Sequence, residues 1–177
     1  MLNKTKTGLL LFLIDHLQEI HGRTRIQKML YLTDHIGWNV IRDYYFYQYG
    51  PYSERMRREL DMLVQEGLIN EEEDKIDDEK TLYKYRMTSD GQSYLKMIDL
   101  QPSKLVSKTK EFLAVLSEIK TDDLEIMATL HYIKESEPEA DTEELVKFVK
   151  SRRPSHKEDR IRENLEVFPL LESFVKN

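Results

Sequence analysis

The sequence predicts a mainly α fold with a small β component (α+β), and three observations carry this. Apolar residues recur at helical spacing through most of the 177-residue chain. β-rich text is confined to three runs within the first hundred residues, "VIRDYYFYQY", "LIN" and "KTLYKYRMT". After "QPS" at 101–103 only helical patterns follow, several of them opened by capping signals. With 40% apolar and 34% charged residues the chain is globular and long enough to bury a core.

The first helix is expected over about 5–20, with Leu9, Phe12, Leu13, His16, Leu17 and Ile20 on one face. "HGR" breaks it. A second helix starts near Thr24, a reasonable N-cap, and ends at Gly37. "VIRDYYFYQY" then alternates, with Tyr45, Tyr47 and Tyr49 on one side and Tyr44 and Phe46 on the other. Gly50-Pro51 reads as the turn before a third helix, which runs to about Glu66 with Met56, Leu60, Leu63 and Val64 inward. Gly67 suits its C-terminal cap. "LIN" and "KTLYKYRMT" are two strands joined by the acidic hairpin "EEEDKIDDE", and Thr88 or Ser89 caps a fourth helix. "QPS" separates a domain over 1–100 from a helical domain over 101–177. In the latter, Asp122 with Glu125, Asp141 with Glu144 and Ser155 with Glu158 form capping-box patterns, and Pro169 ends or kinks the last helix.

Composition excludes several functions. There is no cysteine, hence no thiol nucleophile, cysteine-ligated zinc or disulfide. The longest apolar run, "GLLLFLI", is too short to span a bilayer, so a cytoplasmic protein with no membrane segment is expected. The five histidines show no metal-ligand spacing, and no phosphate loop, dinucleotide fingerprint or nucleophile elbow occurs. The expectation is therefore a non-enzymatic protein with no cofactor. Net charge is −6, and residues 69–80 alone carry seven acids against two lysines. Net charge would not draw this chain to nucleic acid.

The order helix, helix, helix, strand, acidic turn, strand is that of a winged helix. "LDMLVQEGLI" resembles the entry from the third helix into a first wing strand, and "YRMTSDGQSYL" resembles the exit from the second. "RTRIQKMLYL" followed by "YYFYQYGPYSERMRREL" resembles the YwgA-like uncharacterised bacterial winged-helix proteins and, more distantly, the Panacea-domain antitoxins. Both share a Gln-Lys-hydrophobic-hydrophobic-Tyr helix followed by a Tyr-Gly-Pro turn. The likeness is clearest over about 23–69 and weak beyond residue 100. It implies a binding module rather than an enzyme, and the second family implies neutralisation of a toxin partner. One departure stands out. The segment from Gly37 to Gly50 separates helices two and three, where a helix-turn-helix has a turn of a few residues.

Two binding surfaces follow. In a regulator of transcription that binds double-stranded DNA, helix three would present Arg55, Arg57, Arg58 and Gln65 to phosphates and base edges. Its outward face also carries Glu54, four residues before Arg58, and Asp61, three after it, so Arg58 is expected to be neutralised on its own helix. The alternative is an antitoxin-like or adaptor protein. It would grip a protein partner through Tyr47, Tyr49 and Met62 and through the wing acids Glu72, Glu73 and Asp74. A homodimer is a further expected partner arrangement. Leu105, Phe112, Leu116 and Ile119 follow a near-heptad spacing, and the choice for them is internal core or dimer seam. "KSRRPSHK" is the one strongly basic run of the second half; it sits at a helix end, where the backbone dipoles favour cations, and that reading suffices, although it could also contact phosphate.

Overall fold

The computed structural model describes residues 5–75, 81–98, 100 and 103–175. The fold is mainly α with a small β component. Helix α1 (Lys6–Leu17) is followed by the two-residue strand β1 (Ile20–His21), helix α2 (Arg23–Thr33) and a π-helical turn over Asp34–Trp38. Strands β2 (Tyr45–Tyr47) and β3 (Gly50–Tyr52) form a hairpin. Helix α3 (Glu54–Gln65), strands β4 (Ile69–Lys75) and β5 (Thr81–Met87), and α4 (Ser89–Ile98) come next. Helices α5 (Lys104–Ser117), α6 (Thr121–Ser136), α7 (Thr142–Arg152), α8 (Glu158–Glu163) and α9 (Val167–Val175) complete the described chain. One antiparallel sheet has the strand order β1-β5-β4, and a second holds β2 and β3 alone.

The first helix stops three residues short of the expected end. Gln18 takes a positive φ, and Ile20 and His21 leave the helix to pair with Tyr85 and Lys84 of β5. Tertiary pairing here overrides a helical period that the sequence carries through Ile20. Helix α1 is also buried from Leu9 to Ile14 without a polar face, because α2, α4, α5 and β5 all pack against it. The Thr-x-x-Gly phrase after β5 has a specific cause. Thr88 Oγ1 accepts from the Gly91 amide at 3.0 Å, capping α4. A Cβ on Gly91 would lie 2.1 Å from the Leu68 carbonyl oxygen, so this helix can approach the end of α3 only with glycine there.

The core is continuous from the first hundred residues into the helices after 103. Trp38 Nε1 donates to Thr109 Oγ1 of α5 at 2.9 Å. The Arg25 guanidinium donates to the carbonyls of Leu116, Ser117 and Ile119, where α5 ends and its last carbonyls have no helical partner. Phe112 and Leu116 are fully buried, and Leu105 and Ile119 pack against the same core, so this stripe is internal rather than a seam. Of the expected boundary at 101–103, Gln101 and Pro102 lie outside the described residues.

Helix starts differ from expectation in detail. The capping box at Asp141 and Glu144 is present, with both reciprocal hydrogen bonds. At the other two positions the helices begin after Lys120 and Lys157 without a side-chain cap, and α2 begins after Gly22 rather than at Thr24. Pro169 neither ends nor interrupts α9. It is the third residue of the helix, where no intrahelical N–H is needed.

Candidate binding cleft

The aromatic run is not one strand. It turns back at Gln48 and Tyr49, so that Tyr45 faces Tyr52, Phe46 faces Pro51 and Tyr47 faces Gly50. Gly50, at φ +91°, supplies the left-handed residue that closes the two-residue loop. The Gly-Pro pair thus belongs to the second strand of the hairpin, not to a turn before α3. Pro51 is tolerated because a two-stranded ribbon leaves one edge of each strand unpaired. Ser53 then caps α3, its Oγ accepting from the Met56 amide at 3.1 Å.

Helix α2 holds this hairpin by two polar side chains buried within an apolar helix. Gln27 Nε2 donates to the Ser53 carbonyl at 3.0 Å, and Gln27 Oε1 accepts from the Ser53 amide at 3.1 Å. Lys28 Nζ donates to the Pro51 carbonyl at 2.7 Å. Burial lowers the Lys28 amine to about 8, with Glu125 opposing and Arg153 reinforcing the shift. Glu125 in turn accepts from Arg153 Nη2 at 3.0 Å. The Gln-Lys pair was visible in the sequence only as part of a motif. A polar pair on a helix otherwise lined by Ile26, Met29, Leu30 and Leu32 is the signal that could have marked it as a brace.

Between α2, the hairpin and α3 lies a cleft of about 180 Å³. Ile26, Met56 and Leu60 give it apolar walls, and Tyr47, Tyr49 and Tyr52 stand along the hairpin side. Arg23 and Arg57 also line it, but neither is a free cation. Arg57 pairs with Glu54 at 3.1 Å and with Asp61 at 2.8 Å, and Arg23 pairs with Glu71 at 2.9 Å. Asp61 sits between the two guanidiniums, 3.7 Å from Arg23. An alternating chain of charges therefore runs along this side, from α3 through Arg23 of α2 to strand β4.

The expected site residues divide between two places. Tyr47, Tyr49 and Arg57 meet at the cleft. Tyr45 and Tyr47 are exposed beside it and pack edge-to-face with each other, and the Tyr49 ring lies under the Arg153 guanidinium at 4.6 Å. Tyr44 and Phe46 point inward, Phe46 meeting Phe148 of α7 edge-to-face. Arg55, Arg58, Met62 and Gln65 are exposed on the outer side of α3 and do not line the cleft. Arg58 Nε reaches Glu54 at 3.3 Å, as the four-residue spacing predicts, but Asp61 pairs with Arg57 and not with Arg58. Arg55 has no ion pair among the described residues. In strand β4, Glu72 pairs with Arg86 at 3.1 Å and Asp74 with Lys84 at 2.7 Å, each to the neighbouring strand β5. Glu73 is exposed and unpaired among the described residues, and Asp77, Asp78 and Glu79 lie outside them.

No protein-family model matches the chain. Its sequence is 28% identical over 127 residues to the uncharacterized protein YwgA of Bacillus subtilis (strain 168), covering 72% of this chain and 74% of that protein. The chain is thus similar to YwgA over most of its length. Among the described residues no helix is long and apolar enough to cross a membrane.

Proposed function

We propose that this chain is a non-enzymatic, cytoplasmic binding module with a winged helix-like first part, and that its cleft takes a large apolar side chain from a protein partner. One observation carries this reading: an apolar cleft opens beside exposed tyrosines, while the arginines along it are engaged by their own carboxylates. Tyrosine supplies large contact area with little rotamer freedom to lose and is enriched at protein interfaces. The cleft volume is close to that of a cavity that accepts one benzene ring, which suits a single anchoring side chain in a wider contact. Selection of displayed peptides on the wild-type protein should enrich sequences with a large apolar or aromatic anchor. Tyr47→Ala with Tyr49→Ala should lower the affinity of the selected peptides by about tenfold or more. Equal binding by the double variant would end this reading.

A second reading, the DNA-binding regulator, is favoured by the arrangement of α1, β1, α2, α3, β4 and β5 with sheet order β1-β5-β4, and by exposed Arg55 on the outer face of α3. Fold alone does not carry function, so this reading ranks second. It makes a distinct prediction. If α3 docks on DNA, replacing Glu72, Glu73 and Asp74 by serine should strengthen binding, most at low salt where screening is weakest. Arg55→Ala with Arg58→Ala should weaken it and flatten the log–log salt slope by about 2. Absence of DNA binding by wild type and both variants at about 50 mM salt, where non-specific contacts are still strong, removes the regulator from consideration.

A further inference from the structure

Strand β4 (Ile69–Lys75) stands at the end of the sheet order β1-β5-β4, and one of its two edges faces no other strand. The register fixes which backbone groups lie on that edge. The Thr88 amide donates to the Leu68 carbonyl at 3.1 Å, just before the ladder that pairs Ile69 with Met87. Antiparallel pairs alternate between bonded and non-bonded, so Asn70, Glu72 and Asp74 turn their amides and carbonyls toward β5, while Glu71 and Glu73 turn theirs away. The far side of β5 agrees. The Gly22 amide donates to the Tyr83 carbonyl at 2.8 Å, which assigns the backbone of Tyr83 and Tyr85 to β1 and leaves that of Lys84 and Arg86 for β4. Among the described residues nothing hydrogen-bonds to the outward backbone groups of Glu71 and Glu73. A row of such groups is a template for a further strand.

The side chains select the kind of strand. Acids alone would mark only a solvated edge, but β5 shows what pairs with β4. Its Lys84 and Arg86 reach across the ladder to Asp74 and Glu72 at 2.7 and 3.1 Å. Both carboxylates remain half-exposed, so a second basic strand would meet them from the open side. A second copy of this edge would instead set carboxylate against carboxylate, which is unfavourable. The acids thus bar the edge from its own kind and leave it open to a basic partner.

We propose that the outer edge of β4 takes up an extended segment of a partner protein as a fourth strand of the sheet, with lysine or arginine at alternate positions of that segment. The backbone groups of Glu71 and Glu73 attach it, and Glu72 and Asp74 select its basic side chains. None of these four residues lines the tyrosine-walled cleft, so the site does not depend on the reading of that cleft.

The test uses the full chain and a synthetic eight-residue peptide alternating lysine and valine, with an alternating glutamate–valine peptide as control. At about 1 mM the lysine peptide should bind, and the Glu71 and Glu73 amides should then exchange with deuterium about tenfold more slowly or better. The Glu73 amide takes no part in the ladder with β5, so Glu73→Pro should leave that ladder intact and lower the affinity by about tenfold. Glu73→Gln, which keeps the amide, should lower it by about threefold or less. Should the proline variant disturb the sheet, the lysine peptide N-methylated at its valines, which would stand opposite Glu71 and Glu73, provides the second measurement: it keeps its charge and should not bind. Equal binding of the N-methylated or the glutamate peptide, no binding of the lysine peptide, or a bound peptide that leaves the two amides exchanging freely overturns the proposal. Slow exchange of both amides before any peptide is added would show the edge already covered by a second copy, and overturns it too.

Discussion

Gly50→Val is expected to destabilise the protein by about 3 kcal/mol or more, combining strain at a positive φ with overpacking. Gly50 has φ +91°, where a β-branched residue is poorly accommodated. A Cβ at this position would also stand 2.3 Å from Thr129 Oγ1 and 3.6 Å from the Glu125 carbonyl, so the hairpin cannot keep its seat on α6. A loss of that size lowers Tm by roughly 10 °C for a chain of this length. The two causes separate in a double-mutant cycle. Thr129→Ala in a Gly50→Ala background removes the clashing oxygen but leaves the backbone strain, so it should restore part of the loss and not all of it. Urea melts of the four proteins of this cycle and of Gly50→Val decide the matter, and a Gly50→Val midpoint equal to wild type would refute this account of the hairpin.

The second large effect is acid sensitivity centred on His131. Its Nδ1 is 2.8 Å from the Tyr31 hydroxyl, and its ring meets those of His35 and Phe168. Burial pushes the imidazole down to about 3, and neighbouring His35 pushes the same way. The folded state therefore holds His131 neutral while the unfolded chain protonates it near 6.5. The stability this contributes is fully present above pH 6.5 and is lost as pH falls toward 3, because the unfolded state then binds the extra proton. Between pH 7 and pH 4 the loss from this group alone should be about 3 kcal/mol. His131→Phe removes the titrating group. The variant is less stable at pH 7, since the Tyr31 hydroxyl loses its partner, but its stability should fall less steeply on acidification. Parallel stability–pH curves for wild type and variant would rule out His131 as the acid-sensitive group.

Much of the secondary structure was legible because its signals are local. The helices after 103 announce themselves by spacing and, at Asp141, by a cap that is in place. Strands β4 and β5 follow from β-rich text on either side of an acidic hairpin, and the inward stripe Met56, Leu60 and Leu63 follows from a period of 3.6. The i, i+4 pair of Glu54 and Arg58 was readable for the same reason, since helix geometry alone brings these two side chains together.

What only the tertiary structure decided involves residues far apart in the chain. Sequence order places Gly50-Pro51 before a helix, where it reads as a turn. Thr129 of α6 and the buried Gln27 and Lys28 of α2 make it a strand, pinned from both faces. The aromatic run could not show its own reversal at Gln48 and Tyr49, because alternation reads the same in one strand or two. Arg153 and His156 belonged to a basic run at a helix end until the fold set Arg153 against Glu125 and buried His156. The local pattern set which segments are helix or strand, because hydrogen bonding and side-chain period act within a few residues. The partners of Arg23, Lys28 and Arg153, and with them the seat of the hairpin beside the cleft, were set by packing between segments that lie more than twenty residues apart in the sequence, beyond the reach of any local pattern.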